Sequence, residues 1–184
     1  YELSAIIQEG INDMYVDGND RYYYITLMNE NYSHPAKPKK IKTEEIIRGA
    51  YRFKEHKNAN HRILASGVTL NFALQAEEEL KRYGINADIW SVTSFNELYR
   101  EGIEVERENR LNSTSNKPYV ENCFNKEMPT IAVSEYQKAY PNQIREWITG
   151  EYKILGTDGF GRSDTREKLR DFFEISKEHI VLNS

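Results

Sequence analysis

Apolar residues recur at Leu3, Ile6, Ile7, Ile11 and Met14, the spacing of one helical face, and this predicts an amphipathic helix over residues 3–15. The turn-forming run Asp17-Gly18-Asn19-Asp20 ends it. Tyr22 to Met28 is aromatic and β-favouring without helical spacing, so it predicts a buried strand. From Ser33 to Lys42 the chain carries His34-Pro35-Ala36-Lys37-Pro38-Lys39-Lys40. Its two prolines remove donors and force extended backbone before them, so 33–42 reads as a linker between two domains. The lysines there read as solvated linker charges rather than as a site for an anionic partner.

Beyond the linker, Thr43 is placed to cap a short helix with Ile46, Ile47, Ala50 and Tyr51 on one face. Arg62 to Ser66 reads as a strand ending at Gly67. Residues 69–83 follow as a helix with Ala73, Ala76, Leu80 and Tyr83 inward, stopped by Gly84. Ala87 to Val92 is the next strand. Ser94 and Glu97 have the spacing of a capping box for a helix running toward Tyr99. Gly102 to Lys126 is polar, its first part helical and the rest a long connection.

Thr130 to Val133 reads as a strand, and Ser134 with Gln137 as another capping box. The helix expected after it sets Tyr140, Ile144, Trp147 and Ile148 on one face and is interrupted by Pro141. Tyr152 to Leu155 is a strand and Arg166 to Phe173 a helix, while the closing Ile180-Val181-Leu182-Asn183-Ser184 looks strand-like. Strands alternating with helices require crossovers. The fold class is therefore three-layer α/β/α around a mostly parallel sheet.

Composition narrows this reading without changing it. At 184 residues one main domain is expected, and 39% hydrophobic with 29% charged residues is a globular composition. Acids outnumber bases 29 to 25, which gives no reason to expect nucleic acid. No apolar run approaches the roughly 20 residues of a bilayer span, and no basic leader precedes an apolar stretch. The expectation is a cytoplasmic chain without a membrane partner. The single cysteine, Cys123, excludes an internal disulfide and lacks a local His or acid signature, so it reads as a buried or tolerated thiol. The chain opens on Tyr1-Glu2-Leu3-Ser4 rather than methionine, and reads as an excised fragment.

The most distinctive segment is Leu155-Gly156-Thr157-Asp158-Gly159-Phe160-Gly161-Arg162-Ser163-Asp164-Thr165-Arg166-Glu167. It lies between a strand and a helix, where glycines permit close backbone approach and a helix start offers free N–H groups. Gly156, Asp158, Gly159, Gly161, Arg162 and Ser163 are thus a candidate anion-binding loop. The spacing matches neither a P-loop nor a dinucleotide fingerprint. A structural reading is preferred, a tight turn whose acids cap the next helix and pair with Arg162 and Arg166.

Other constellations carry less. The histidines at 34, 56, 61 and 179 lack metal-site spacing, and Glu77, Glu78 and Glu79 read as a solvent face rather than an acid/base pair. Ala65-Ser66-Gly67 is a strand-to-helix turn at the carboxyl edge of the sheet, a place for a ligand without naming one.

The Leu155–Asp164 run resembles the signature near the C-terminus of homodimeric pyruvate dehydrogenase (acetyl-transferring) components, members of the transketolase-like thiamine-diphosphate family. Tyr22-Tyr23-Tyr24-Ile25-Thr26 with Asn29-Glu30-Asn31-Tyr32, Ser91-Val92-Thr93-Ser94-Phe95-Asn96-Glu97-Leu98, and the helix leading to Ile144 follow the same family order. The resemblance covers essentially the whole chain. It implies that residues 1–32 are the tail of a middle domain, 33–42 the linker, and 43–184 a C-terminal domain that stops before the family's final helical segment.

The resemblance further implies a parent that oxidatively decarboxylates pyruvate and passes the acetyl group to the lipoyl domain of a dihydrolipoyl acetyltransferase, with thiamine diphosphate and Mg²⁺ held between other domains of a homodimer. The family's Gly-Asp-Gly…Asn cofactor segment is not in this sequence. Asp158-Gly159 echoes it without the downstream asparagines. Catalytic, cofactor-binding and metal residues are accordingly expected to be none here, and a structural, dimer-forming role follows. The alternative is a regulatory anion- or nucleotide-binding module built on 156–164.

Overall fold

The structure, a computed structural model, describes residues 1–184. Five strands form one sheet: β1 (Ala50–Lys54), β2 (His61–Ala65), β3 (Ala87–Val92), β4 (Thr130–Val133) and β5 (Tyr152–Leu155). Their order is β1-β3-β2-β4-β5. β2 pairs in parallel with β3 and β4, and β4 with β5, while β1 lies antiparallel beside β3. Parallel neighbours need crossovers, and helices supply them. After α1 (Glu2–Ile11) and α2 (Thr43–Ile47), α3 (Thr69–Leu80) follows β2, and α4 (Phe95–Asn112) with α5 (Tyr119–Phe124) follows β3. After β4 comes α6 (Ala139–Asn142), and after β5 come α7 (Arg166–Phe172) and α8 (Lys177–Asn183).

Side chains alternate across each strand, so every strand feeds both layers. Leu64, Trp90, Val92 and Ala132 meet Leu98 of α4 and Phe124 of α5 on one face. Ile63, Ala65, Ile89 and Ile131 meet Ala73 and Leu80 of α3 and Ile180 of α8 on the other. Burial on both faces explains why β3 and β4 are buried at every position, the polar Asp88, Ser91 and Thr130 included. The α/β/α expectation holds. No helix is long and apolar enough to cross a membrane.

The N-terminal helix continues past Ile11 as a π-helical turn, Asn12–Val16. Buried Asp13 accepts hydrogen bonds from the Asn19 amide at 2.6 Å and the Tyr23 hydroxyl at 3.1 Å, closing the turn around Gly18. The strand expected over Tyr22–Met28 is not formed. The segment pairs with none of the five strands, and Tyr22 and Tyr24 are 88% and 86% exposed. A strand requires a neighbour for its N–H and C=O groups, which composition cannot provide.

The helix after the linker is also shorter than its apolar spacing suggests. Its first turn is held by Glu45, which accepts the Lys42 N–H at 2.8 Å, and Thr43 is its first helical residue rather than its cap. Gly49 at φ 102° then turns the chain, so Ala50 and Tyr51 begin β1 instead of extending the helix. The Ser94 cap forms, its Oγ accepting the Glu97 N–H at 3.0 Å. Glu97 turns to Arg100, so the reciprocal arm of the box is missing. α4 nevertheless runs on to Asn112, and α5 occupies the expected long connection.

Ser134 caps no helix. Its Oγ accepts the Tyr136 N–H at 3.1 Å, and α6 starts only at Ala139. Pro141 sits in the first turn of α6, where no N–H is needed. After Asn142 only a 3₁₀ turn, Arg145–Trp147, follows, which keeps Ile144, Trp147 and Ile148 buried while Tyr140 is exposed. α3 likewise tightens to a 3₁₀ turn at Lys81–Tyr83, throwing Tyr83 outward before Gly84. The final apolar run is helical, with Ile180 of α8 buried against α3.

Glu77 does not belong to a solvent face. It is 0% exposed, with one carboxylate oxygen 2.8 Å from Lys54 Nζ and the other 3.0 Å from Lys81 Nζ. Two lysines answer its charge, as a buried carboxylate requires. A Cβ at Gly49 would stand 2.6 Å from the Ser94 carbonyl oxygen at a positive φ. Gly49→Ala is therefore expected to destabilise the chain by about 2–4 kcal/mol in urea denaturation, against about 1 kcal/mol for Gly159→Ala, where φ is positive but space is open.

Candidate functional site

Ligands of α/β sheets gather at the carboxyl ends of parallel strands, above all where neighbouring connections leave to opposite faces. Here that point lies between β2, whose connection goes to the α3 side, and β4, whose connection leads to Ile144 on the α4 side. Buried Thr69 fills it. Its Oγ accepts the Ser66 N–H at 2.9 Å and lies 2.9 Å from the Ser66 carbonyl and 3.0 Å from the Val133 carbonyl. The crevice predicted at Ala65-Ser66-Gly67 is thus stitched together by the chain itself.

Beside it, the loop from Gly156 folds back over the connection after β4. Thr157 donates its N–H to Tyr136 O at 2.9 Å and its hydroxyl to Glu135 O at 2.7 Å, and the Asp158 carboxylate accepts the Lys138 N–H at 3.0 Å. A Cβ on Gly156 would lie 2.7 Å from Tyr136 O, so glycine is needed for this contact. Gly159 is needed for its φ of 91°. Nothing in the structure explains Gly161, and Ser163 is exposed. Phe160, between the two glycines, is 96% exposed.

The loop's acids and arginines do not pair with each other as expected. Asp158 is engaged as above, and Asp164 accepts the Thr165 N–H at 2.8 Å and stands 3.8 Å from Lys168. Thr165, rather than an acid, caps α7 through the Lys168 N–H at 3.4 Å. Arg162 lies over the Phe172 ring at 4.0 Å. Arg166 donates to the Asn29 carbonyl and stands 3.8 Å from Glu30. Arg170 donates to both oxygens of Glu30 and to Glu135 at 2.6 Å. The hydrogen bond from Arg170 holds the Glu30 carboxyl below the usual carboxylate range, and although burial works against the Arg170 charge, the two carboxylates raise it on balance.

These groups border an open cavity of about 540 Å³ whose wall includes Met28, Tyr136, Tyr140, Phe160, Arg162 and Arg166. Of its three arginines, Arg166 and Arg170 already face Glu30, and Arg170 also Glu135, while Arg162 meets only the Phe172 ring.

A second carboxylate arrives near the end of β3. Glu2 accepts hydrogen bonds from the hydroxyls of Tyr51 and Ser91, each at 2.6 Å, and faces His34 Nε2 at 3.1 Å. Burial, and then the Glu2 hydrogen bond, push the Tyr51 hydroxyl far above its usual range, so it serves as a donor. Spacing marks neither Glu2 nor the Glu30 of the Asn29–Tyr32 stretch as a site residue. Their partners lie 32 to 140 positions away, beyond any local pattern.

Of the remaining histidines, His56 accepts the Asn58 N–H and His179 pairs with Ser176, while His61 lies between its neighbour Asn60 and the distant Ser184 carbonyl. Cys123 packs against the core of the α4 face, and burial pushes its thiol up to about 11.

The family model of the transketolase-like TK C-terminal domain matches residues 49–176. The chain belongs to that family. A second model, of the pyruvate dehydrogenase E1 component middle domain, matches residues 1–35. The pyruvate dehydrogenase E1 component of Pseudomonas aeruginosa is 50% identical over 191 residues, covering 99% of this chain and 21% of that protein. The Escherichia coli K12 protein of the same name is 40% identical over 189 residues, with 99% and 21% covered. The chain therefore spans about a fifth of the length of these relatives. In fold it is similar to a transketolase from Leishmania mexicana, with a TM-score of 0.55 at 19% identity over 78% of this chain and 18% of that one.

Because a neutral thiol is a poor nucleophile, native Cys123 is expected to react with a disulfide reagent at pH 8 at least about tenfold more slowly than in the urea-unfolded chain. Equal rates would show the thiol to be free of its burial.

Proposed function

We propose that the chain is the C-terminal part of a pyruvate dehydrogenase E1 component and that its role there is structural. The observation that carries this is 50% identity to such a component along 99% of the chain. Residues 1–32 would close the middle domain, 33–42 link, and 43–184 form the C-terminal domain, a division supported by family models that match on either side of residues 36–48. The exposed apolar run Tyr22–Met28 supports it too, since it has the composition of a strand whose sheet lies in the rest of a middle domain.

The whole enzyme, on this reading, oxidatively decarboxylates pyruvate in the cytoplasm and hands the acetyl group to the lipoyl domain of a dihydrolipoyl acetyltransferase, as a homodimer using thiamine diphosphate and Mg²⁺. The residues of this chain do not fit that cofactor. The carboxylates at the carboxyl edge are bound by Arg170, Tyr51, Ser91 and backbone N–H groups rather than presented to a cation, and no three His, Cys, Asp or Glu side chains converge. The arginines that would meet a diphosphate are held by Glu30, Glu135 and Phe172. The part played here is accordingly to support the dimer and the domains that hold the cofactor.

Titration calorimetry of residues 1–184 with thiamine diphosphate and Mg²⁺ is expected to show no saturable heat. Binding at micromolar concentration would overturn the structural role.

A further inference from the structure

The contact between Glu30 and α7 joins residues 1–32 to the sheet domain across 140 positions of sequence. Arg170 meets Glu30 through two nitrogens and Glu135, from the connection after β4, through a third. Arg166, one helical turn earlier, stands 3.8 Å from the same Glu30 and donates to the Asn29 carbonyl. Two guanidinium groups thus answer two carboxylates, and the cluster carries no net charge.

Most surface ion pairs contribute little, because water already satisfies both partners. This one differs in burial and geometry. The side chains of Arg170, Glu30 and Glu135 are 14%, 19% and 13% exposed, and the Arg170–Glu30 contact is bidentate, the arrangement that fixes orientation as well as energy.

The glycine-rich loop acquires a purpose from this cluster. Gly156 admits the close backbone contact that ties Thr157 and Asp158 to residues 135–138. That tie fixes the backbone of Glu135, and with it the carboxylate that receives Arg170. We infer that Glu30, Arg170 and Glu135 form an ionic clamp that seats the middle-domain tail on the sheet domain, and that Gly156–Asp158 position its Glu135 arm. The inference rests on the division of the chain proposed above.

Hydrogen exchange on the full-length protein tests it. Arg170→Gln and Glu30→Gln are each expected to speed exchange of the hydrogen-bonded N–H groups of Leu169, Phe173, Glu174 and Ile175, in and after α7, by about tenfold or more, with β2 and β4 unchanged. The double variant is expected to exchange no faster than the faster single one, because both substitutions break one interaction. Exchange within about twofold of the unsubstituted protein in Arg170→Gln, multiplicative effects in the double variant, or equal acceleration in β2 and β4 would each overturn the clamp alone. Exchange of α1 as one cooperative unit with β2 and β4 in the unsubstituted protein would overturn both the division and the clamp drawn on it.

Discussion

A parallel sheet has to be covered on both faces, and nearly everything else about this chain follows from how that is done. β2 and β4 lie inside the sheet, and their residues alternate between a layer under α4 and α5 and a layer under α3 and α8. With both faces closed by apolar contacts, the polar groups have only the edges of the sheet left to them. The carboxyl edge gathers the connections after four strands, and there charge, hydroxyl groups and backbone donors are brought together.

What the chain does with that edge separates it from a ligand-binding member of the same architecture. Thr69 occupies the switch point between β2 and β4, the loop after β5 is hydrogen-bonded to the connection after β4, and the arginines of α7 face carboxylates. Thr69, Thr157, Arg166 and Arg170 are therefore matched within the chain. An anion arriving at Arg170 would have to displace a bidentate, mostly buried carboxylate, which costs more than a surface charge pair returns.

The layered fold was legible because burial on two faces leaves a mark that spacing reveals. Ala87–Val92, Thr130–Val133 and Tyr152–Leu155 form strands where their apolar runs lie, and α3 shows its Ala73, Ala76 and Leu80 stripe. β1 was hidden because Ala50 and Tyr51 continue a helical spacing from Ile46, and only the turn at Gly49 decides between the two. Tyr22–Met28 misleads in the opposite direction, since its residues favour a strand and no partner lies beside them. At the edge, the loop containing Gly156 and Asp158 was visible as unusual, but its partners were not. Glu135, Tyr136 and Lys138 come from the connection after β4, and hydrogen bonds between distant loops leave no periodicity to read.

Glu2 and Glu30 show the same physics at two points of that edge. Each is a carboxylate from the N-terminal segment, and each is received by donors of the sheet domain, hydroxyls in one case and guanidinium groups in the other. A carboxylate tethered through the backbone loses far less freedom on docking than a free anion would, so it holds such donors at a high effective concentration. The donors need not be strong to stay occupied. A sheet edge that in related architectures receives a diffusing ligand is thereby suited to receive a neighbouring part of its own chain, and the geometry that would give specificity for a ligand seats the N-terminal segment in one defined place instead.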